Sequence, residues 1–201
     1  MVAQKDNEQR LDRRWVVGKL LENRGDALVI AGVGSTVWDT AAVGDSPLTF
    51  PLWNAMGAAA MVGLGLALAQ PKRPVLVVTG DGEIIMQMSA LSTIAAKRPD
   101  NLSIVVMDNE VYQETGGQPT HTGMGTNLAA VAKGCGFESA SIVSTEDEVE
   151  KLAGAVFARR GLLLAQVKIG RQKAPRVMPP RDGSYLKDRF RGAVLGERAF
   201  K

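Results

Sequence analysis

Apolar residues fall along this chain in two rhythms. Over 11–22, Leu11, Trp15, Leu20 and Leu21 recur near helical spacing and predict a helix, closed by the turn signal Asn23-Arg24-Gly25-Asp26. Residues 27–31 (Ala-Leu-Val-Ile-Ala) are then apolar without interruption, which predicts a strand covered on both faces. Similar runs stand at 75–78 and 104–107, and further strands are expected over 162–169 and, shorter, near 141–143. Helical patterns lie between them at 54–69 (stopped by Pro71), 86–96, 127–133 and 146–159, and a loop rich in Gly, Thr and Pro spans 116–125. Strands alternating with helices at this spacing predict an α/β fold, a parallel sheet flanked by helices on both faces. Right-handed crossovers then bring every strand-to-helix loop to the carboxyl edge of the sheet, where open α/β folds bind ligands.

The 201 residues, 45% hydrophobic and 22% charged, suffice for one core, so the reading is a single domain over 1–170 followed by a basic tail over 171–201. One cysteine, Cys135, excludes a disulfide framework, an iron–sulfur module and a Cys-rich zinc site, and reads as a buried small apolar residue. Residues 1–14 are polar, with no apolar segment of the kind that opens a signal peptide. The longest apolar run, 55–69, has 15 residues, short of the roughly 20 that span a bilayer. A soluble, cytoplasmic protein without membrane contact is the expectation. The net charge of +3 divides into +6 over the tail and −3 over the body, and aromatics make up only 5%. That distribution gives no basis for a nucleic-acid surface. The tail reads either as a solvated basic face or as an arm that embraces a partner.

The chemistry concentrates at strand ends. Gly80-Asp81-Gly82 closes one strand and, 25 residues later, Asp108-Asn109 closes another. A carboxylate and a carboxamide at one sheet edge are hard oxygen ligands, suited to Mg²⁺ holding a diphosphate. Glycines let backbone approach an anion, and a helix starting after Gly82 directs amide groups and its positive end at it. Gly32-Val33-Gly34-Ser35-Thr36 offers further amides and hydroxyls, but lacks the third glycine of a dinucleotide-binding GxGxxG.

The string Gly-Asp-Gly, 25 residues, Asp-Asn resembles the thiamin diphosphate signature, and 11–170 as a whole resembles the diphosphate-binding (PP) domain of the thiamin diphosphate-dependent decarboxylases. The resemblance is closest to the sulfopyruvate and phosphonopyruvate decarboxylase branch, supported by the stretch from Asp108 to Pro119. It implies that Asp81 and Asn109 ligate Mg²⁺ through their side chains and Val111 through its carbonyl. It implies that Gly82 and Glu83 offer amides to the diphosphate, with Gly80 and Tyr112 beside it and Gly34 and Ser35 lining it. In Trp53-Asn54-Ala55-Met56-Gly57, Met56 matches the apolar wedge that bends the cofactor, and the Asn54 carbonyl matches the acceptor of its 4′-amino group. A core methionine is the competing reading of Met56.

Three positions depart from the family. Asp108 stands for the usual first Asn, Asn54 for a glycine, and Glu83 for Ser, Ala or Gly. A carboxylate at Glu83 repels a diphosphate unless it turns outward or pairs with a cation, so only its amide carries over. His121, the sole histidine, is either an acid/base over the site or a solvated loop residue, and Gln118 and Thr115 are substrate-contacting or loop-packing. Glu114 reads as a surface ion-pair residue or as an acid/base near the substrate.

The family's pyrimidine-binding (Pyr) domain supplies a glutamate to the cofactor, and one domain of sequence leaves no room for it. The resemblance therefore implies a β-type subunit of a heteromer, α2β2 or a multiple, completed by a separate Pyr-domain subunit and acting on a small 2-oxoacid. A carboligase subunit and a non-catalytic cofactor-binding subunit are the alternatives. A 2-oxoacid:ferredoxin oxidoreductase is disfavoured by the missing cluster cysteines.

Overall fold

In the computed structural model, which describes residues 10–200 apart from the side chain of Phe200, the uninterrupted apolar runs become strands. The polar opening stretch read from the sequence falls mostly on 1–9, outside the described residues. The strands are β1 (Leu28–Ala31), β2 (Thr49–Pro51), β3 (Val75–Gly80), β4 (Leu102–Asp108), the short pair β5 (Val111–Tyr112) and β6 (Gln118–Pro119), β7 (Ser139–Val143) and β8 (Leu163–Lys168). The helices are α1 (Arg13–Leu21), α2 (Ser35–Val43), α3 (Ala59–Ala69), α4 (Asp81–Met86), α5 (Ala90–Lys97), α6 (Leu128–Cys135), α7 (Glu146–Ala155) and α8 (Gly183–Leu195).

Six strands form one sheet in the order β2-β1-β3-β4-β8-β7, every neighbouring pair parallel. Alternate side chains serve opposite faces, as the strand repeat requires. Ile104 and Val106 of β4 join a core beneath α3, α5 and α6, while Val105 and Met107 join a second beneath α1 and α7. With both faces covered, all seven residues of β4 are buried, which is why its sequence shows no polar alternation. The chain runs outward from β1 to β2 and returns to the other side of β1 for β3. That reversal opens a crevice at the carboxyl ends of β1 and β3.

Several elements differ from the sequence reading. The helix expected over 54–69 begins at Ala59, because 53–58 forms a turn with Ala55 at φ +63° and Gly57 at φ +101°. The helix expected over 86–96 is two helices, α4 and α5, separated by a turn at 87–89. Neither α2 nor β2 was signalled. Helix α2 carries Thr36, Val37, Thr40 and Val43, a β-branched set with little intrinsic helix preference, and has no side-chain cap at Gly34. Packing secures it: Asp39, on α2 and 1% exposed, lies 3.3 Å from Nε of the buried Arg13 and 3.2 Å from Arg14 Nη2, both from α1.

The basic tail returns to its own domain. Arg14 donates to the Pro175 carbonyl (2.7 Å) and Trp53 Nε1 to that of Pro180 (3.0 Å), so 171–182 runs as an extended strap. Helix α8 then packs beside edge strand β2: Phe190 sits 5.4 Å from Phe50, ring to ring, and Arg189 pairs with Asp45 at 2.6 Å. Among the described residues, no helix is long and apolar enough to cross a membrane.

The α1–α2 clamp yields a stability prediction. Asp39→Ala leaves Arg13 buried without its counter-charge and should cost about 3–5 kcal/mol in urea unfolding. The Arg13→Met/Asp39→Met double variant should recover most of that loss.

Candidate cofactor and metal site

Four segments line an open cleft of about 160 Å³ at the crevice. The β1 loop contributes Gly34 and Ser35, the 53–58 turn contributes Met56, and the end of β3 contributes Gly80, Asp81, Gly82 and Glu83. The β4 loop adds Asn109, Val111 and Tyr112, with Gln113, Glu114 and Thr115 at its rim. Asn54, Gln118 and His121 are exposed and do not line the cleft.

Parallel pairing explains why the two strand-end side chains meet. Gly80 on β3 stands opposite Met107 on β4, so Asp81 and Asn109 leave the sheet at neighbouring points one residue or two further on. The Asn109 carboxamide is oriented on both sides: its oxygen accepts from Val111 N (3.0 Å), and its Nδ2 donates to Gln113 Oε1 (3.0 Å). Glu110 between them has φ +63°, a strained backbone for a residue with a side chain. Its carboxylate is held by Lys168 (3.0 Å) and Arg10 (2.9 Å).

Two residues that the sequence reading passed over complete this arrangement. The hydroxyls of buried Thr120 and Thr122, flanking exposed His121, both donate to Asp81 Oδ2, Thr122 at 3.0 Å. Thr122 Oγ1 is also 2.7 Å from Asp108 Oδ1, so one hydroxyl bridges two buried carboxylates. Asp108 has further partners in Gln166 Nε2 (2.6 Å) and Lys168 Nζ (2.6 Å). Asp81 has hydroxyl donors but no ion pair among the described residues, and burial, reinforced by the Asp108 charge, raises its carboxyl to about 6. No local pattern signals them: Thr120 caps and Thr122 lies within a short 3-10 turn, His121–Met124, and it is that turn's placement after β6 that brings both hydroxyls to Asp81.

Glycines at the cleft answer to particular neighbours. A Cβ on Gly82 would stand 2.4 Å from the Tyr112 ring, and Gly34 has φ +92° with Glu114 3.5 Å from the Cβ position. Gly80 faces open space. Glu83 takes neither course that the sequence suggested. It is 2% exposed, turned inward, and accepts hydrogen bonds from Thr79 Oγ1 (2.8 Å), Val33 N (3.0 Å) and Gly57 N (3.3 Å).

The family model of the thiamine pyrophosphate enzymes, C-terminal TPP binding domain, matches residues 32–167. The sulfopyruvate decarboxylase subunit beta of Methanocaldococcus jannaschii is 37% identical over 142 residues, covering 70% of this chain and 75% of that protein. The subunit of the same name from Methanothermobacter thermautotrophicus is 37% identical over 188 residues, 92% of this chain and 97% of that one. The phosphonopyruvate decarboxylase of Streptomyces viridochromogenes is 37% identical over 150 residues, 75% of this chain but only 37% of that longer protein. Among solved structures, the benzoylformate decarboxylase of Polynucleobacter necessarius shares the fold with a TM-score of 0.68 at 22% identity, over 82% of this chain and 34% of that one. The chain belongs to the thiamine pyrophosphate enzymes and carries their C-terminal TPP binding domain.

A proton on Asp81 would compete with any divalent cation for the same oxygens. With its carboxyl raised to about 6, the metal-free fold holds that proton more tightly than an unfolded chain, whose Asp titrates near about 4. This group's burial penalty is therefore relieved as pH falls through 6 and present in full above it. Mg²⁺ affinity, measured by calorimetry, should be level above about pH 7 and fall roughly tenfold per unit below about 6. Asp81→Asn should abolish that dependence together with most of the affinity.

Proposed function

We propose that this member of the thiamine pyrophosphate enzymes is the diphosphate-binding subunit of a Mg²⁺- and thiamin diphosphate-dependent 2-oxoacid decarboxylase, completed by a separate subunit. One observation carries the reading: the Asp81 carboxylate and the Asn109 carboxamide enter one cleft from neighbouring strand ends, lined also by Gly34, Ser35, Gly82 and Met56. The donor set fits the group. Carboxylate, carboxamide and carbonyl oxygens suit Mg²⁺, and the Asp81 carboxyl, destabilised by burial, gains from a cation. Main-chain amides at Gly82 and Glu83, and Ser35 at the start of α2, suit a diphosphate.

In this reading Asp81, Asn109 and the Val111 carbonyl hold the metal, and Gly34, Ser35, Gly80, Gly82, the Glu83 amide and Tyr112 surround the diphosphate. Met56, 42% exposed on the cleft wall, is the apolar support beneath the cofactor's bend, and the Asn54 carbonyl accepts from its amino group. When bound, the cofactor supplies the electron sink that lets the bond between the oxoacid's carboxylate and carbonyl carbons break. His121 and Gln118 lie outside this chain's own cleft, so a catalytic role for either depends on the second subunit completing the site. That subunit provides the Pyr domain and its glutamate, in an α2β2 assembly or a multiple; the naming of the relatives as beta subunits supports the presence of a partner. A cytoplasmic site of action accords with the single free thiol of Cys135.

The relatives' names point to oxoacids that carry a second anion, sulfonate or phosphonate. Arg176 is the cation we assign to it. Its guanidinium lies 4.4 Å over the Trp38 ring and 3.4 Å from Glu114, which lines the rim of the cleft. Trp38 Nε1 is buried without a partner among the described residues, which leaves packing and the Arg176 contact to hold the ring.

The test is turnover by the complex purified on a tag carried by this chain. Sulfopyruvate or phosphonopyruvate should release CO₂ and an aldehyde in a Mg²⁺-dependent reaction, and the product should not change when an acceptor aldehyde is added. Arg176→Ala should lower kcat/KM at least tenfold for the dianionic oxoacid and less than threefold for pyruvate, about the value of one charge-assisted hydrogen bond. Acceptor-dependent ligation products would move the assignment to a carboligase, and equal losses on both substrates would remove Arg176 from recognition.

A further inference from the structure

We infer that the buried carboxylate of Glu83 is a positioning residue that fixes the Met56 turn relative to the diphosphate-binding loops. Its two oxygens are shared among three pieces of backbone. Oε2 accepts from Val33 N in the β1 loop (3.0 Å) and from the hydroxyl of fully buried Thr79 at the end of β3 (2.8 Å). Oε1 accepts from Gly57 N in the turn that carries Met56 (3.3 Å), and the nearby Ala59 amide also favours the negative charge. Val33 and Met56 are walls of the cleft, and the Glu83 main chain is a third. One side chain therefore ties the wall that supports the cofactor's bend to the walls that hold its diphosphate.

The fit is close and specific for an anion. A Cβ on Gly32 would stand 2.1 Å from Glu83 Oε2, so the β1 loop rests directly on the carboxylate. Helix α3, of 11 residues, has Ala58 at its N-cap and no side-chain cap of its own. The Glu83 carboxylate lies next to that end of the helix, where its dipole favours negative charge. Every neighbour is a donor, so the group stays buried without an ion pair among the described residues. Burial pushes its carboxyl up, while the Thr79, Val33, Gly57 and Ala59 donors pull it back. Next to Met56, Ala55 is held at φ +63°, a strained backbone that persists only where its surroundings over-determine it. The Gly57 bond to Glu83 is one such determinant. A glutamine in this place would turn an NH₂ toward backbone N–H groups and could not reproduce the arrangement.

What Met56 supports rests on the function proposed above; the link between Glu83 and the loops does not. The experiment has one arm for each, on the complex purified through this chain. In Glu83→Gln and Glu83→Ala, hydrogen exchange at the Val33, Gly57 and Ala59 amides should rise at least tenfold, with β4 and β8 unchanged. The dissociation constant for Mg²⁺-thiamin diphosphate should rise about tenfold or more and kcat should fall, while KM for the oxoacid stays within twofold. Gln should rescue no better than Ala. Where these variants do not assemble, Thr79→Val, which removes one donor, should shift exchange and affinity about threefold in the same directions. Unchanged exchange at the three amides in either series overturns the inference. So does faster exchange with cofactor affinity and kcat within twofold of the unaltered complex. An unaltered complex that takes up no thiamin diphosphate contradicts the proposed function instead, and the exchange arm alone then decides whether Glu83 holds the loops.

Discussion

Asp81 and Asp108 stand at the carboxyl ends of adjacent strands, both buried, and share the hydroxyl of Thr122. Two carboxylates brought this close out of water raise each other's cost, and the fold answers the two differently. Asp108 has Lys168 and Gln166 from β8, so its charge is matched inside the chain. Asp81 has hydroxyl and main-chain donors but no ion pair among the described residues, and its carboxyl rises to about 6. The imbalance is what the proposed cation on the oxygens of Asp81 and Asn109 would relieve. The β4–β8 pairing, which places Asp108 opposite Lys168, and the hairpin that returns Thr120 and Thr122 over the strand ends both serve that imbalance.

Around this centre, the loops are fixed by groups of opposite character. Glycines at 32, 34 and 82 let backbone lie against Glu83, Glu114 and Tyr112. Ala55 and Glu110, neither a glycine, hold left-handed backbone beside Met56 and Asn109. Such strain is tolerated where many contacts agree on one geometry, and here those contacts come from Glu83, from the Asn109 carboxamide and from the Arg10 and Lys168 pairs with Glu110. The extended strap 171–182 adds Arg171 Nε on the Asn109 carbonyl (3.0 Å) and Arg176 on Glu114.

Much of this was legible in the sequence because it is written in local signals. Doubly covered strands show as unbroken apolar runs, and Gly-Asp-Gly with Asp-Asn marks two strand ends on one edge. The parts that were not legible depend on partners distant in the chain. Helix α2 is held by Arg13 and Arg14 on Asp39, not by its own propensity. Strand β2 has three residues, too few for a pattern, and gains its place from β1 and from Phe190 of the tail. The inward turn of Glu83 follows from amides contributed by residues 33 and 57, which no spacing rule connects to residue 83. Thr120 and Thr122 needed a hairpin to reach Asp81 across 39 and 41 positions of sequence.

The central claim is that this chain supplies half of a cofactor site and that another polypeptide supplies the rest. Native mass spectrometry of the tagged chain, purified from its own cells, tests it most directly. The account predicts a complex containing a second, different subunit together with Mg²⁺ and thiamin diphosphate, from which Asp81→Ala loses the metal and cofactor but not the partner. A complex that retains both at full occupancy after Asp81→Ala, or a chain that binds no cofactor and no second subunit when supplied with Mg²⁺-thiamin diphosphate and the products of its neighbouring genes, would contradict it.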